Sequence, residues 1–315
     1  MEKLKIGVIG TGAIAEIAHL PELSKNKDTE LTGVMSLHYE NACRAKERYG
    51  IKYAVSSINE LVNLGIDCAF VLSPKQNHPE QVKFLLNHGI NVYCEKPLAM
   101  TLHQIDDIAD LSVKSGKKLM VGFNRRFAPV YNELKSIYES VPPQVIIAQK
   151  NRPASEYRAT LENAIHMVDL MRYICGECRK VEASSLFDDP YYESSCTAFL
   201  EFEKGSSGML IANRSSGQWE ETIEAHGNNL SVLINSPDSI TVTDSQRSHT
   251  RSMTPLAMGW ATVTDKLGFS YAIRHFIDCV KNDKDPLTNA AEAFKTHELM
   301  DRILRKAGLP ALDKE

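Results

Sequence analysis

The chemistry-bearing residues of this chain begin at its tenth position. Gly10-Thr11-Gly12-Ala13-Ile14-Ala15 follows the apolar run Leu4–Ile9 and leads into a stretch with helical patterning. A strand–turn–helix setting is what a dinucleotide fingerprint requires. Gly10 permits the tight turn, Gly12 lets the backbone approach a pyrophosphate, and Ala15 takes the small position where helix packs close to strand. The helix N-terminus offers free N–H groups and a partial positive charge to phosphates. Gly10, Thr11, Gly12, Ala13 and Ile14 are therefore the expected phosphate-side contacts.

A second group, Glu95-Lys96-Pro97, directly follows the apolar run Asn91–Cys94. Ligands of open α/β sheets bind beyond the carboxyl ends of the strands, so Lys96 is expected to point into the cofactor crevice. A lysine beside a nicotinamide cation has its pKa pushed down, which suits it to proton exchange with an alcohol. On position alone, a solvated loop lysine is an equal reading. An acidic residue at the end of the second strand would hold the ribose hydroxyls of NAD. That strand ends here in Ser36-Leu37-His38, so Ser36 stands where an acid would. A serine does not repel a 2′-phosphate and can donate to it, with His38 or Arg44 adding charge nearby. NADP is the favoured cofactor, with NAD left open.

The elements that must position these residues change character along the chain. The first third alternates short apolar runs (Leu4–Ile9, Leu31–Met35, Cys68–Leu72, Asn91–Cys94, Leu119–Val121) with helical patterns at Ile14–Leu23, Asn41–Tyr49, Pro79–His88 and Leu102–Lys114. This indicates βαβ units and a parallel sheet covered on both faces. After about Gly122 come helices near Val130–Glu139 and Leu161–Tyr173. Period-two strands follow, with Cys196, Ala198, Leu200 and Phe202 on one face, and the series runs on through Met209–Ala212, Trp219–His226, Ser231–Ile234 and Ile240–Val242. That describes an antiparallel sheet with one packed face. Residues 244–266 read as an ordered loop, and two helices close the chain at Tyr271–Lys281 and Ala290–Lys306. The predicted architecture is α/β: a Rossmann doubly wound parallel sheet over residues 1–121, then an α+β domain with an open, mostly antiparallel sheet over 122–315.

At 315 residues the chain exceeds the usual single core, which agrees with two domains. A formal charge of −4 argues against nucleic acid or an anionic membrane as the main partner. Seven cysteines without a framework fit a reducing cytoplasm. The apolar start is too short and glycine-broken for an export signal, and no run approaches the length of a membrane span. Cys175-Gly176-Glu177-Cys178 falls at a predicted helix C-terminus, the wrong end to activate a thiol, and no second pair stands at zinc spacing, so no metal site is expected.

Taken together, the motifs resemble the Gfo/Idh/MocA family of oxidoreductases. The matching features are Gly10–Ala15, Val71-Leu72-Ser73-Pro74 with His78, Gly89, Glu95-Lys96-Pro97-Leu98-Ala99, Gly122-Phe123-Asn124-Arg125-Arg126-Phe127, His166 with Asp169-Leu170, and Phe276-Ile277. The segment Leu119–Lys135, with Gly259-Trp260 and Gly268-Phe269, looks most like the MviM-like branch. The resemblance implies an NAD(P)-dependent oxidoreductase acting on a hydroxyl or keto carbon of a sugar, polyol or related compound. Ser73, Pro74, His78, Glu95, Lys96 and Asn124 would join the cofactor site. Lys96 would exchange the proton and His166 would polarise the oxygen. The family's usual Asp-x-x-x-His reads Glu162 to His166 here; the extra methylene puts the carboxylate's participation in question. Asp169 would orient the imidazole or bind a substrate hydroxyl. Arg125 and Arg126 either clamp a substrate carboxylate or phosphate or form salt bridges, and Trp260 is a further substrate-side candidate. A homodimer or homotetramer paired through the open sheet is implied. Two rival readings are a nucleotide-binding regulator without turnover and a reductase of small aldehydes or imines.

Overall fold

The computed structural model describes residues 2–153, 158–187, 193–254, 262–310 and 312. The chain opens with β1 (Leu4–Ile9), a π turn at Ala15–His19, α1 (Leu20–Lys25), β2 (Thr29–Met35), α2 (Tyr39–Tyr49), β3 (Tyr53–Val55), α3 (Ile58–Asn63), β4 (Cys68–Val71), α4 (His78–Asn87), β5 (Asn91–Cys94), α5 (Leu102–Ser115) and β6 (Leu119–Val121). Next come α6 (Pro129–Ile137), β7 (Val145–Asn151), a π turn at Ala159–Ala164, α7 (Ile165–Cys175), β8 (Cys178–Phe187) and β9 (Glu193–Phe202). The remainder is β10 (Ser207–Asn213), β11 (Glu220–Gly227), β12 (Leu230–Asn235), β13 (Ser239–Thr243), β14 (Ser248–Ser252), α8 (Val263–Lys266), α9 (Phe269–Lys281) and α10 (Ala290–Lys306).

Two compact units emerge: residues 1–123 with 269–294, and residues 124–268 with 295–315. In the first, six parallel strands run in the order β3-β2-β1-β4-β5-β6. The direction of winding reverses between β1 and β4, the switch point where such sheets bind ligands. Ile6, Val8, Phe70, Val71, Val92 and Tyr93 are fully buried, as expected of strands covered on both faces. Local chemistry sets the helix ends: the Ser57 hydroxyl accepts from the Glu60 N–H at the start of α3, Thr101 accepts from Gln104 at the start of α5, and Gly116 closes α5 at φ +64°. Residues of the closing segment complete this unit, where the Thr288 hydroxyl donates to the Val121 carbonyl.

The second unit carries an eight-stranded sheet in the order β14-β13-β12-β11-β7-β10-β9-β8, antiparallel except where β10 lies parallel to β7. The predicted alternation holds: Cys196, Ala198, Leu200 and Phe202 are buried, as are Ile146, Ala148, Leu210, Ile223, Val232 and Ile240. The opposite face exposes Val145, Phe199, Met209 and Leu233.

Residues 269–294, expected in the second domain, fall in the first unit; the other differences from the sequence reading are local. The helix expected at Ile14–Leu23 and the one expected at Leu161–Tyr173 both begin with a π turn, which apolar periodicity does not register. The segment read as a loop over 244–266 contains β14 and α8. The short β3 and the strands β7 and β8 were not anticipated. Among the described residues, no helix is long and apolar enough to cross a membrane.

Candidate active site

The glycine turn after β1 is shaped by two glycines with different jobs. Gly10 has φ +99°, and a Cβ there would lie 2.7 Å from the carbonyl carbon and oxygen of Leu72. The turn therefore packs directly against the end of β4. A Cβ on Gly12 would meet nothing within 4 Å. Gly12 and Ala13 are exposed, Thr11 and Ile14 half-buried, and Ala15 fully buried. Open space in front of a helix N-terminus at the switch point is a cradle that a pyrophosphate fits. The Thr11 hydroxyl donates to the Ser36 hydroxyl at 3.1 Å, so the residue expected to read the ribose stands beside this turn.

The end of β5 is held from both sides by histidines. Glu95 is buried, and its Oε1 lies 2.8 Å from Nε2 of the fully buried His19. Three rings, Phe70, Tyr93 and Phe269, surround His19 at centroid distances of 5.3–5.9 Å. Burial raises the Glu95 pKa, but the His19 hydrogen bond, with Lys96 and His78 nearby, brings it below its ordinary value. A Cβ on Gly122 would come 3.0–3.2 Å from the Glu95 carboxylate, which explains a glycine there. His78 opens α4 and bridges the carbonyls of Pro97 and Ser73 at 2.8 and 2.9 Å. The Ser73 hydroxyl donates to Gln81, Pro74 is exposed, and Lys96 is half-buried. Thus Gly10–Ile14, Ser36, Ser73, Pro74, His78, Glu95 and Lys96 all belong to the carboxyl-end edge of one sheet. His19 was missed by the sequence reading. It reaches Glu95 from within the π turn, where the Leu20 N–H bonds back five residues to the Ala15 carbonyl.

In the second unit Asn124, Arg125 and Arg126 form a buried turn. The Asn124 amide, expected to join the cofactor site, donates to the Leu267 carbonyl at 2.8 Å. Arg125 donates through Nε and Nη2 to Glu221 at 2.7 and 2.9 Å. Tyr131 and Lys150 also donate to that carboxylate. Arg126 donates twice to Asp169, at 2.8 and 2.7 Å, and lies over the Tyr173 ring. The Thr296 hydroxyl completes Asp169 at 2.8 Å. Of the two alternatives left open for Arg125 and Arg126, the structure shows the ion pairs: each guanidinium fork faces a buried carboxylate of its own unit. Asp169, expected to orient the imidazole or bind a substrate hydroxyl, thus has a buried cationic partner in Arg126. Glu162 accepts the Arg158 backbone N–H at 2.8 Å, an early-turn contact. Because a π turn precedes α7, residues 162 and 166 are not related by a regular α-turn, as their spacing suggested. His166 is buried near the start of α7. Trp260 lies outside the described residues.

Residues 4–123 match the family model described as the oxidoreductase family, NAD-binding Rossmann fold, and residues 141–232 match the Gfo/Idh/MocA C-terminal domain. YceM of Salmonella typhimurium, named an oxidoreductase, is 30% identical over 98% of this chain and 99% of its own. The chain belongs to the Gfo/Idh/MocA oxidoreductase family. The crystal structure of an MviM dehydrogenase from Clostridium difficile superposes with a TM-score of 0.88 at 27% identity, covering 96% of this chain and 99% of that one. A myo-inositol 2-dehydrogenase from Thermotoga maritima is 28% identical over 77% of this chain and 79% of its own. As a family member the chain is an NAD(P)-dependent oxidoreductase.

Proposed function

We propose that this oxidoreductase interconverts a hydroxyl and a keto group on a sugar, polyol or related small molecule. The observation that carries the reading is the shared edge of one parallel sheet, where Lys96 leaves β5 and the open Gly12 cradle leaves β1. When bound, the nicotinamide supplies or accepts the hydride. The glycine turn, Ser36, Ser73 and Pro74 hold the dinucleotide, and Lys96 exchanges the proton of the reacting hydroxyl. His166 is the second unit's candidate for polarising a substrate oxygen. Asp169 is left out of proton transfer, since Arg126 engages it through two hydrogen bonds, and Glu162 stays a candidate carboxylate. The name of the Thermotoga maritima relative supports a polyol as substrate class. Ser36 supports NADP over NAD, because it presents no charge to a 2′-phosphate. The exposed sheet face with Phe199, Met209 and Leu233 supports a homo-oligomer, dimer or tetramer, paired through that face.

The test is turnover on a panel of polyols and sugars with each cofactor, wild type against Lys96→Met. The expected result is unchanged cofactor affinity with kcat lower by roughly 10²–10⁴-fold. Near-normal kcat in Lys96→Met would remove Lys96 from the reaction.

A further inference from the structure

The ring of His78 touches two groups of the same kind. Its Nδ1 lies 2.8 Å from the Pro97 carbonyl oxygen and its Nε2 lies 2.9 Å from the Ser73 carbonyl oxygen. A carbonyl oxygen only accepts hydrogen bonds, and a neutral imidazole carries one N–H and one lone pair. Two carbonyls at these distances are both satisfied only when both ring nitrogens carry protons. The residue is 1% exposed, so water cannot take the place of either contact. His19 supplies the contrast. Its Nε2 faces the Glu95 carboxylate, while its buried Nδ1 has no hydrogen-bond partner. One proton on Nε2 suffices there, and a second on Nδ1 would be a buried donor without an acceptor.

A buried imidazolium requires a counter-charge. Glu95 provides it: the carboxylate is buried at the end of β5, and its charge interacts with His78, His19 and Lys96. Lys96 follows on the same strand end. From β4 comes only the Ser73 carbonyl, and on its own helix the nearest acid in sequence is the exposed Glu80. The two carbonyls that His78 joins belong to the loops after β4 and after β5. One loop carries Ser73 and Pro74; the other carries Lys96.

We propose that His78 is a doubly protonated clasp, an imidazolium that ties the loop after β4 to the loop after β5 and thereby positions Lys96. It is a positioning residue, and its consequence for the reaction rests on the reading of Lys96 as the proton-exchanging group. Losing the ring proton would turn one hydrogen bond into a contact between two lone pairs and loosen the Lys96 loop. The fixed positive charge shares the Glu95 carboxylate with Lys96 and so disfavours the ammonium form of Lys96.

The decisive experiment is nuclear magnetic resonance on the ¹⁵N-histidine-labelled full chain. At neutral pH His78 is expected to show protons on both ring nitrogens, and His19 on Nε2 alone. A single protonated nitrogen on His78 overturns the proposal. In His78→Gln, amide exchange in residues 73–77 and 96–100 should quicken at least about tenfold, leaving α2 unchanged. The titration midpoint of ¹³C-methylated Lys96 should move up by about half a unit or more. A folded His78→Gln protein with both readouts unchanged also overturns it. If that variant does not fold, the wild-type spectrum still decides. A failure of Lys96→Met to lower turnover would strike the catalytic reading alone, because the protonation of His78 is measured without substrate.

Discussion

Replacing Glu221 by glutamine separates the two roles that the Arg125 position allows. Glu221 is 1% exposed and accepts two N–H bonds from Arg125, one from Lys150, and hydroxyl bonds from Tyr131 and Ser236. A glutamine has a single acceptor oxygen and no charge, so two buried cations lose their compensation. Breaking a buried pair by removing one partner costs about 3–5 kcal/mol, and this site belongs in that range. Denaturation by urea at neutral pH, followed by circular dichroism, measures it. The pH dependence gives a second signature. Arg125 and Lys150 outweigh burial and hold the Glu221 carboxyl well below its ordinary value. Its stabilisation is thus present above the unfolded value near 4.5 and is lost as pH falls toward the folded one. Burial, with Arg125 adding to it, pushes Lys150 down to about 7 against the opposing charge of Glu221. At this group the unfolded chain then binds more protons than the folded one between about 7 and the ordinary 10.5, so the contribution of Lys150 to stability rises with pH through that window. A loss below about 1 kcal/mol in Glu221→Gln would refute the structural role. It would return Arg125 to the substrate.

Two further outcomes bear on the cofactor edge. Gly10→Ala should lower stability by at least about 2 kcal/mol, because φ is +99° and the new Cβ would meet the Leu72 backbone at 2.7 Å; a thermal melt checks it. Ser36→Asp should shift the ratio of dissociation constants toward NAD by at least about tenfold, some 1.4 kcal/mol, as read by fluorescence titration with both reduced cofactors. Wild type that already binds NAD more tightly than NADP would end the NADP preference.

Much of the first unit was legible because each of its signals is local. The run Leu4–Ile9, the glycines that follow it and the strand ends before Ser73 and Lys96 need only a few residues each to be recognised, and β1, β5 and β6 begin and end where the apolar runs do. The inward face of β9 was equally readable from its period of two. What stayed hidden depends on partners distant in sequence. Arg125 pairs with a glutamate 96 residues away and Arg126 with an aspartate 43 away, so their spacing told nothing of their employment. The π turns hid the second lesson. They change which residues share a face, bringing His19 to Glu95 and disturbing the relation assumed between Glu162 and His166.

The central claim is that the turn after β1 cradles a nicotinamide dinucleotide, and Gly12 tests it most directly. A side chain at Gly12 meets open space, so Gly12→Val should fold like wild type. The same side chain occupies the place of the pyrophosphate. Calorimetric titration with NADPH and NADH is predicted to show binding to wild type and a loss of at least about a hundredfold, some 2.7 kcal/mol, in Gly12→Val, with superimposable melting curves for the two apoproteins. Equal affinity in a folded Gly12→Val protein, or no binding of either cofactor to wild type, would contradict the account.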